Sequence, residues 1–306
     1  MTEGVNQPET DTVHPFGKHI SWSEVFYFNF YDRDEDICAF MRIGLKPNTA
    51  EKSMFCYIMM PDRSVLGSRD QEHFSNNDLK VNGLTFERVR PEKEWRVKYS
   101  GAMKRTHGAS SGIVDTSLDL TYLALNKTFD YRECGLWDKE FAPQMAADHT
   151  EQFGKIQGTL RTGDTELQLN GLGEKDHAWG VKDWTAPTTW IWLSCQFSES
   201  FAFNLTKLME RDVADGGFIH ADGENRPITK ALVNTECEAN GAPKKLRIWF
   251  WEKNREVHQV EGVVLRYVKI PFTDTMERTL PVMYACLVRY RKGDVHGYGI
   301  AEYLTR

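Results

Sequence analysis

From Trp22 onward, short segments of this chain alternate apolar and polar residues, with Gly, Asn, Asp or Pro between them. That two-residue period is the strongest constraint on the fold, because it puts successive side chains on opposite faces of an extended strand. Over residues 95–101, Trp95, Val97 and Tyr99 share one face and Arg96 and Lys98 the other. Over 117–125, Leu118, Leu120 and Tyr122 oppose Asp119 and Thr121. Over 245–251, Leu246, Ile248 and Phe250 oppose Arg247, Trp249 and Trp251. Over 281–290, Val282, Tyr284, Cys286, Val288 and Tyr290 alternate with Met283, Ala285, Leu287 and Arg289. Helical patterning is weak: a segment at 138–149 that Pro143 interrupts, and a turn or cap at 75–78. With no βαβ alternation and no glycine-rich phosphate loop, a nucleotide-binding α/β fold is disfavoured. Evenly spaced strands with Gly-rich turns point instead to antiparallel barrels or sandwiches.

At 306 residues the chain is long enough for two moderate domains. The period runs through both halves, so two units are expected, joined near 145–155. The opening MTEGVNQPETDTV carries little to bury and reads as a disordered arm. It has no basic start followed by an apolar run, so no signal peptide is expected. The longest apolar stretch, near 55–60, is far too short to span a membrane. Six scattered cysteines without a CxxC pair read as free thiols, and the expected location is cytoplasmic. The 38 Lys+Arg against 44 Asp+Glu give a net charge of -6. Neither half is basic enough to attract a phosphate backbone, so nucleic acid is not an expected partner. A homodimer is compatible with the sequence but not indicated by it.

The densest patch of unusual residues runs from Gly171 to Phe197, GLGEKDHAWGVKDWTAPTTWIWLSCQF. As a strand, DHAW puts His177 and Trp179 on one face and Asp176 and Ala178 on the other, and Gly180 then permits a bend. In TWIWLSCQF, Trp190, Trp192, Ser194 and Gln196 share a face opposite Ile191, Leu193, Cys195 and Phe197. Two Trp beside Ser and Gln suit the wall of a cavity for something mostly apolar. The chemistry such a wall permits is acid catalysis. Burial raises a carboxyl pKa so that it holds a proton at neutral pH, and electron-rich rings steady a carbocation, Trp best of all. Asp176, Asp183 and Glu151 are candidate acids, and Trp179, Trp190 and Trp192 candidate cation stabilisers. His177 is a candidate base, or a group that orients an acid or water.

Plainer readings stand beside these. DHAWGVKDW can be a structural corner, Trp190 and Trp192 plain core, Glu151 a solvated strand-end carboxylate, and Glu302 one half of an ion pair. His149, Glu151, Asp176 and His177 form a metal-ligand set only if the fold assembles them, since the nine histidines show no recognised ligand spacing. Ser110 and Ser111 lie in HGASSG, not in a GxSxG elbow.

DHAWGVKDW, DHTEQFGKIQGTL at 148–160, SWSEVFYFNFYDRDEDICAFMRIGLKPN at 21–48 and GYGIAEYL at 297–304 together resemble the acyclic carotenoid 1,2-hydratase (hydroxyneurosporene synthase) superfamily, closest to its uncharacterised branch. Its relatives include hydratases and cyclases acting on isoprenoid or polyketide substrates. The resemblance implies an all-β fold of two tandem antiparallel lipocalin-like β-barrels with little helix. The boundaries expected from it are an arm over 1–18, an N-terminal barrel over 19–148 and a C-terminal barrel over 149–306. It implies that His177 and Trp179 belong to the site; the family's downstream Tyr-x-Asp has only Phe203 and Asn204 in its place. The expected catalytic groups are His177, Asp176, Asp183 and Glu151, with Trp179, Trp184, Trp190, Trp192 and Phe203 binding substrate. No metal and no cofactor are expected. The expected function is a cofactor-independent hydratase/dehydratase or isomerase/cyclase on a hydrophobic isoprenoid, steroid-like or polyketide molecule. The competing reading is a non-catalytic lipocalin-type binder of an apolar small molecule.

Overall fold

The computed structural model describes residues 11–107, 111–134, 148–181, 189–208, 216–253, 256–273 and 279–305. Among them every regular element is a β-strand apart from two short 3-10 turns, in line with the period-2 pattern. The first sheet contains β1 (Trp22–Asp32), β2 (Ile37–Lys46), β3 (Glu51–Met59), β4 (Val65–His73), β5 (Lys80–Val81), β6 (Leu84–Arg90), β7 (Glu94–Thr106), β8 (Gly112–Ala124), β9 (Phe129–Asp130), β10 (Asp148–Thr162) and β11 (Thr165–Val181). Its order is β4-β3-β2-β1-β11-β10-β8-β7-β6-β5, with β9 on β10. A short pairing of β4 with β7, from Val65↔Thr106 to Gly67↔Lys104, bends the sheet back onto itself. The second sheet is a closed eight-stranded barrel of β12 (Thr189–Ser198), β13 (Phe201–Leu208), β14 (Gly216–Ala221), β15 (Glu224–Cys237), β16 (Pro243–Glu252), β17 (Val257–Thr273), β18 (Thr279–Lys292) and β19 (Val295–Thr305).

The join differs from the expected 148/149 boundary. β10 and β11 lie beyond it, yet both are hydrogen-bonded into the first sheet, β11 against β1 from Trp22↔Val181 to Tyr31↔Leu172. The change of sheet comes between Val181 and Thr189. Alternation marks a strand but carries no information about which sheet it joins. Most of the helix-like segment at 138–149 lies outside the described residues, and its last two residues open β10. The 75–78 segment is a bend between β4 and β5.

Three apolar layers follow from the alternation. Phe26, Phe28, Phe30, Trp95, Val97, Tyr99, Leu118, Leu120 and Tyr122 fill the first sheet's interior. Leu246, Ile248, Phe250, Tyr284, Cys286, Val288 and Tyr290 fill the second barrel. Between them lies a layer drawn from both sheets, including Tyr27, Phe40, Phe55 and Phe153 on one side and Trp190, Trp192, Phe218 and Leu287 on the other. Strands such as β1 and β12 are therefore buried on both faces.

The arm also departs from expectation over 11–18. Asp11 is buried: it accepts hydrogen bonds from Lys175 Nζ and, at 3.3 Å, from Trp95 Nε1. The backbone N–H of His14 donates to both oxygens of Glu24, at 3.1 and 3.0 Å. Buried charge pairs seat this segment together with apolar contacts from Val13 and Phe16, and composition arguments do not weigh the charge.

Candidate functional site

β11 runs along the boundary between two polar environments, one on each face. Its even-numbered residues Glu174, Asp176 and Ala178 look toward the second barrel, and Lys175, His177 and Trp179 look into the first sheet. Gly180, at φ 122°, ends this run in a conformation that favours glycine.

Toward the second barrel, register assembles a row. Glu151 on β10 pairs with Asp176 on β11, Asp176 with Tyr27 on β1, and Tyr27 with Arg42 on β2. Facing it across the layer, Thr206 on β13 pairs with Trp192 on β12, and Trp192 with Glu302 on β19. Hydrogen bonds stitch the two rows together. Trp192 Nε1 donates to Glu151 Oε1 at 2.8 Å, and the Tyr27 hydroxyl to Glu302 Oε1 at 2.8 Å. One register step away, Asn204 Nδ2 donates to Glu174 Oε1 at 3.0 Å, and the Tyr131 hydroxyl donates to Asn204 Oδ1. His149 Nε2 lies 2.9 Å from Glu151 Oε1 and 3.3 Å from Asp176 Oδ2, and its ring sits 4.3 Å from that of Tyr131.

Burial sets the electrostatics here. It pushes the Glu151 carboxyl well above the usual carboxylate range, and the charge of Asp176 adds to this; hydrogen bonds from Trp192 and with Glu174 only partly oppose it. Glu174 is raised in the same way, by burial and then by Glu151. The two carboxyls lie within hydrogen-bonding reach of each other, and the second oxygen of each is buried with no fixed donor. Two carboxylates so placed repel, whereas one shared proton satisfies both. Burial lifts Glu302 to about 7, with Tyr27 pulling the other way. The layer thus holds proton-bearing carboxyls at neutral pH with the Trp192 indole on one of them. That is a proton donor in an apolar, aromatic setting.

On the opposite face of β11, His177 Nε2 lies 2.8 Å from Glu24 Oε1, and His14 Nδ1 lies 2.7 Å from the same oxygen. The His14 ring stacks on Trp179 at 3.8 Å and the His177 ring on Phe26 at 3.8 Å. Burial pulls the Glu24 pKa up, but the hydrogen bonds with His14 and His177 outweigh it and hold the carboxyl below its ordinary value. Glu24 is therefore an anion clamped between two imidazoles, and the clamp ties the arm to the first sheet.

The expected site residues thus divide. Glu151, Asp176, Trp190 and Trp192 come together between the sheets; His177 and Trp179 share a face, as alternation implies, but it is the first sheet's interior. The partner of His177 there is Glu24, on the opposite side of the sheet from Asp176 and Glu151. Phe203 is not brought to either cluster: it packs in the second barrel against Phe250 at 5.0 Å and Tyr290 at 5.7 Å. Its neighbour Asn204 faces the row instead. Asp183 and Trp184 lie outside the described residues. Glu151 is fully buried, contrary to its reading as a solvated carboxylate, and Glu302 is bonded by a tyrosine rather than a base. Donor atoms of His149, Glu151 and Asp176, and separately of His14, Glu24 and His177, lie within 4.8 Å of one another, so two three-residue sets replace the four-residue set considered from sequence. Glu24, Glu174 and Tyr131 are not indicated by the sequence reading, and Asn204 enters it only as the residue beside Phe203 in place of the family's Tyr-x-Asp. For Glu24 a signal exists, a lone carboxylate in step with Phe26, Phe28 and Phe30.

The chain belongs to the family described as "Domain of unknown function (DUF7064)", which it matches over residues 7–306. No curated protein matches it in sequence. Among solved structures it is similar to an AttH-like protein of Nitrosomonas europaea, at TM-score 0.67 and 11% identity, covering 99% of this chain and 97% of that one. It is also similar to CghA, solved with Sch210972, at TM-score 0.61 and 11% identity over 93% and 88% of the two chains. Kievitone hydratase from Nectria haematococca matches at TM-score 0.59 and 11% identity over 97% and 94%. At that identity the likeness establishes the fold. Among the described residues no helix is long and apolar enough to cross a membrane.

Proposed function

We propose that this DUF7064 chain is a cofactor-independent hydratase/dehydratase or isomerase/cyclase for a largely apolar small molecule, with the Glu151–Glu174 pair as its proton source. The observation that carries the reading is a pair of fully buried neighbouring carboxyls, both pushed well above the usual carboxylate range by burial and then by a nearby carboxylate, one of them bonded by Trp192. An acid held neutral by burial can protonate an alkene or a hydroxyl leaving group, and the adjacent indole steadies the positive charge that forms. Asp176 and His149 stand beside Glu151, placed to take the proton back from water or from carbon. Membership of a fold shared with a hydratase lends support, as does the Trp-rich wall. The substrate class proposed is isoprenoid, steroid-like or polyketide. His177 and Trp179 act from the first sheet's interior, by holding β11 and the arm.

The test begins with organic extraction of the purified protein and mass spectrometry of what co-purifies. That compound, and a panel of isoprenoid, steroid and polyketide alkenes and alcohols, is then incubated with wild type and Glu151→Gln. Conversion by wild type and its loss in the variant, with binding retained, supports the reading. Tight binding with every compound returned unchanged by wild type overturns it in favour of a binding protein.

A further inference from the structure

The row that begins with Glu151 and Asp176 ends in a base. Continuing past Tyr27, register places Arg42 on β2, Phe55 on β3 and Arg69 on β4, so the row runs from buried acid to exposed cation. Arg42 differs from the other arginine of this layer. Arg266 has both terminal nitrogens engaged by Asp36 and the Met60 carbonyl. The Arg42 guanidinium has no hydrogen-bond or ion-pair partner among the described residues. Burial draws its pKa down to about 10, while the charges of Glu51, then Asp176 and Glu302, pull the other way without touching it. The head group folds over Gly44, where an added Cβ would come within 2.6 Å of both terminal nitrogens. Arg42 is half-buried, and a guanidinium that no protein group engages keeps its planar fork of donors free for a ligand.

We infer that Arg42 is the anchor for an anionic group on the substrate, a carboxylate or the enolate of a 1,3-dicarbonyl, whose apolar body lies along Tyr27, Phe40 and Phe55. The inference rests on the proposed function for the position of the reacting carbon; the anchor itself stands on the geometry of Arg42. Three strand spacings separate the Glu151 and Arg42 backbones, about 14 Å. A substrate that reaches both therefore carries its acidic group roughly 10–14 Å from the bond that is protonated, a span of several fused rings or two to three isoprene units. Phe40 and Phe55 are buried in this layer beside Arg42, their rings edge to face at 6.0 Å.

The experiment uses two fluorescent probes with closely similar aromatic bodies, 1-anilinonaphthalene-8-sulfonate and the uncharged N-phenyl-1-naphthylamine. Both are titrated into full-length wild type, Arg42→Gln, Arg42→Lys and Gly44→Ala. Wild type is expected to prefer the sulfonate. Arg42→Gln loses about 10-fold or more in sulfonate affinity, as removal of a charge-assisted hydrogen bond implies, while the neutral probe is unaffected. Arg42→Lys keeps part of the preference. Gly44→Ala, which displaces the head group but keeps its charge, also weakens the sulfonate selectively. If Arg42→Gln does not fold, as judged by circular dichroism, Gly44→Ala decides. A wild type without preference for the sulfonate, or variants that weaken both probes equally, overturns the anchor. Conversion of an apolar substrate without that preference sinks the anchor and leaves the proposed reaction. The preference without any conversion does the reverse.

Discussion

Replacing Glu302 by Gln should stabilise the protein at alkaline pH and leave it nearly unchanged in acid. Glu302 is raised from 4.5 to about 7 by burial. Below pH 4.5 the carboxyl is protonated in both the folded and the unfolded chain, and folding is indifferent to it. Between 4.5 and 7 the unfolded chain loses the proton and the fold keeps it, so stability falls as pH rises. Above 7 the full penalty applies, about 3 kcal/mol for a shift of this size. A Gln side chain is neutral throughout, and its carbonyl oxygen can still accept the Tyr27 hydroxyl. Urea unfolding followed by tryptophan fluorescence at pH 4.5 and pH 8 measures this. The gain of the variant over wild type should be larger at pH 8 by up to about 3 kcal/mol. A variant destabilised equally at both values would refute the reasoning, because Glu302 would then be ionised within the fold.

Four further outcomes follow from the same geometry. His14→Ala removes a hydrogen bond to the Glu24 carboxylate and should cost about 1.5–3 kcal/mol, with faster hydrogen exchange confined to the arm and the end of β1. Because Glu24 is held below its ordinary pKa, its clamp should persist above about pH 4.5 and release the arm as pH falls further, which the same exchange experiment in acid checks. Lys175→Met leaves Asp11 buried without its counter-ion and should cost about 3–5 kcal/mol, most of it recovered in Asp11→Asn/Lys175→Met by urea unfolding. Trp192→Phe keeps a ring but removes the donor that lowers the Glu151 pKa, so the alkaline limb of a pH–rate profile should move to higher pH.

Much of this was legible in the residues and some was not, for identifiable reasons. Alternation placed Trp95, Val97 and Tyr99 together and separated Trp190 and Trp192 from Ile191 and Leu193, as the apolar layers confirm. It also put His177 and Trp179 on one face. What a period of two cannot state is which face meets which sheet, so residues adjacent in sequence were pooled into one site although β11 separates them. Nor does it show pairing at long range. Glu24 reaches His177 across 153 positions, and Tyr27 reaches Glu302 across 275. Glu174 lay inside the motif, two residues before Asp176 and on the same face, but only the approach of the second barrel reveals it as buried beside Glu151.

In the proposed reaction a carboxyl buried between the sheets donates a proton to carbon or to a leaving hydroxyl. The most direct measurement is conversion in deuterated water of the compound that co-purifies, or of any panel alkene that reacts, by wild type and by Glu151→Gln. Wild type acting on an alkene is expected to leave carbon-bound deuterium in the product. The rate in Glu151→Gln is expected to be about 10²–10⁴-fold lower, with affinity little changed. Full activity in Glu151→Gln, or a ligand that wild type binds and returns without chemical change or isotope uptake, would contradict it.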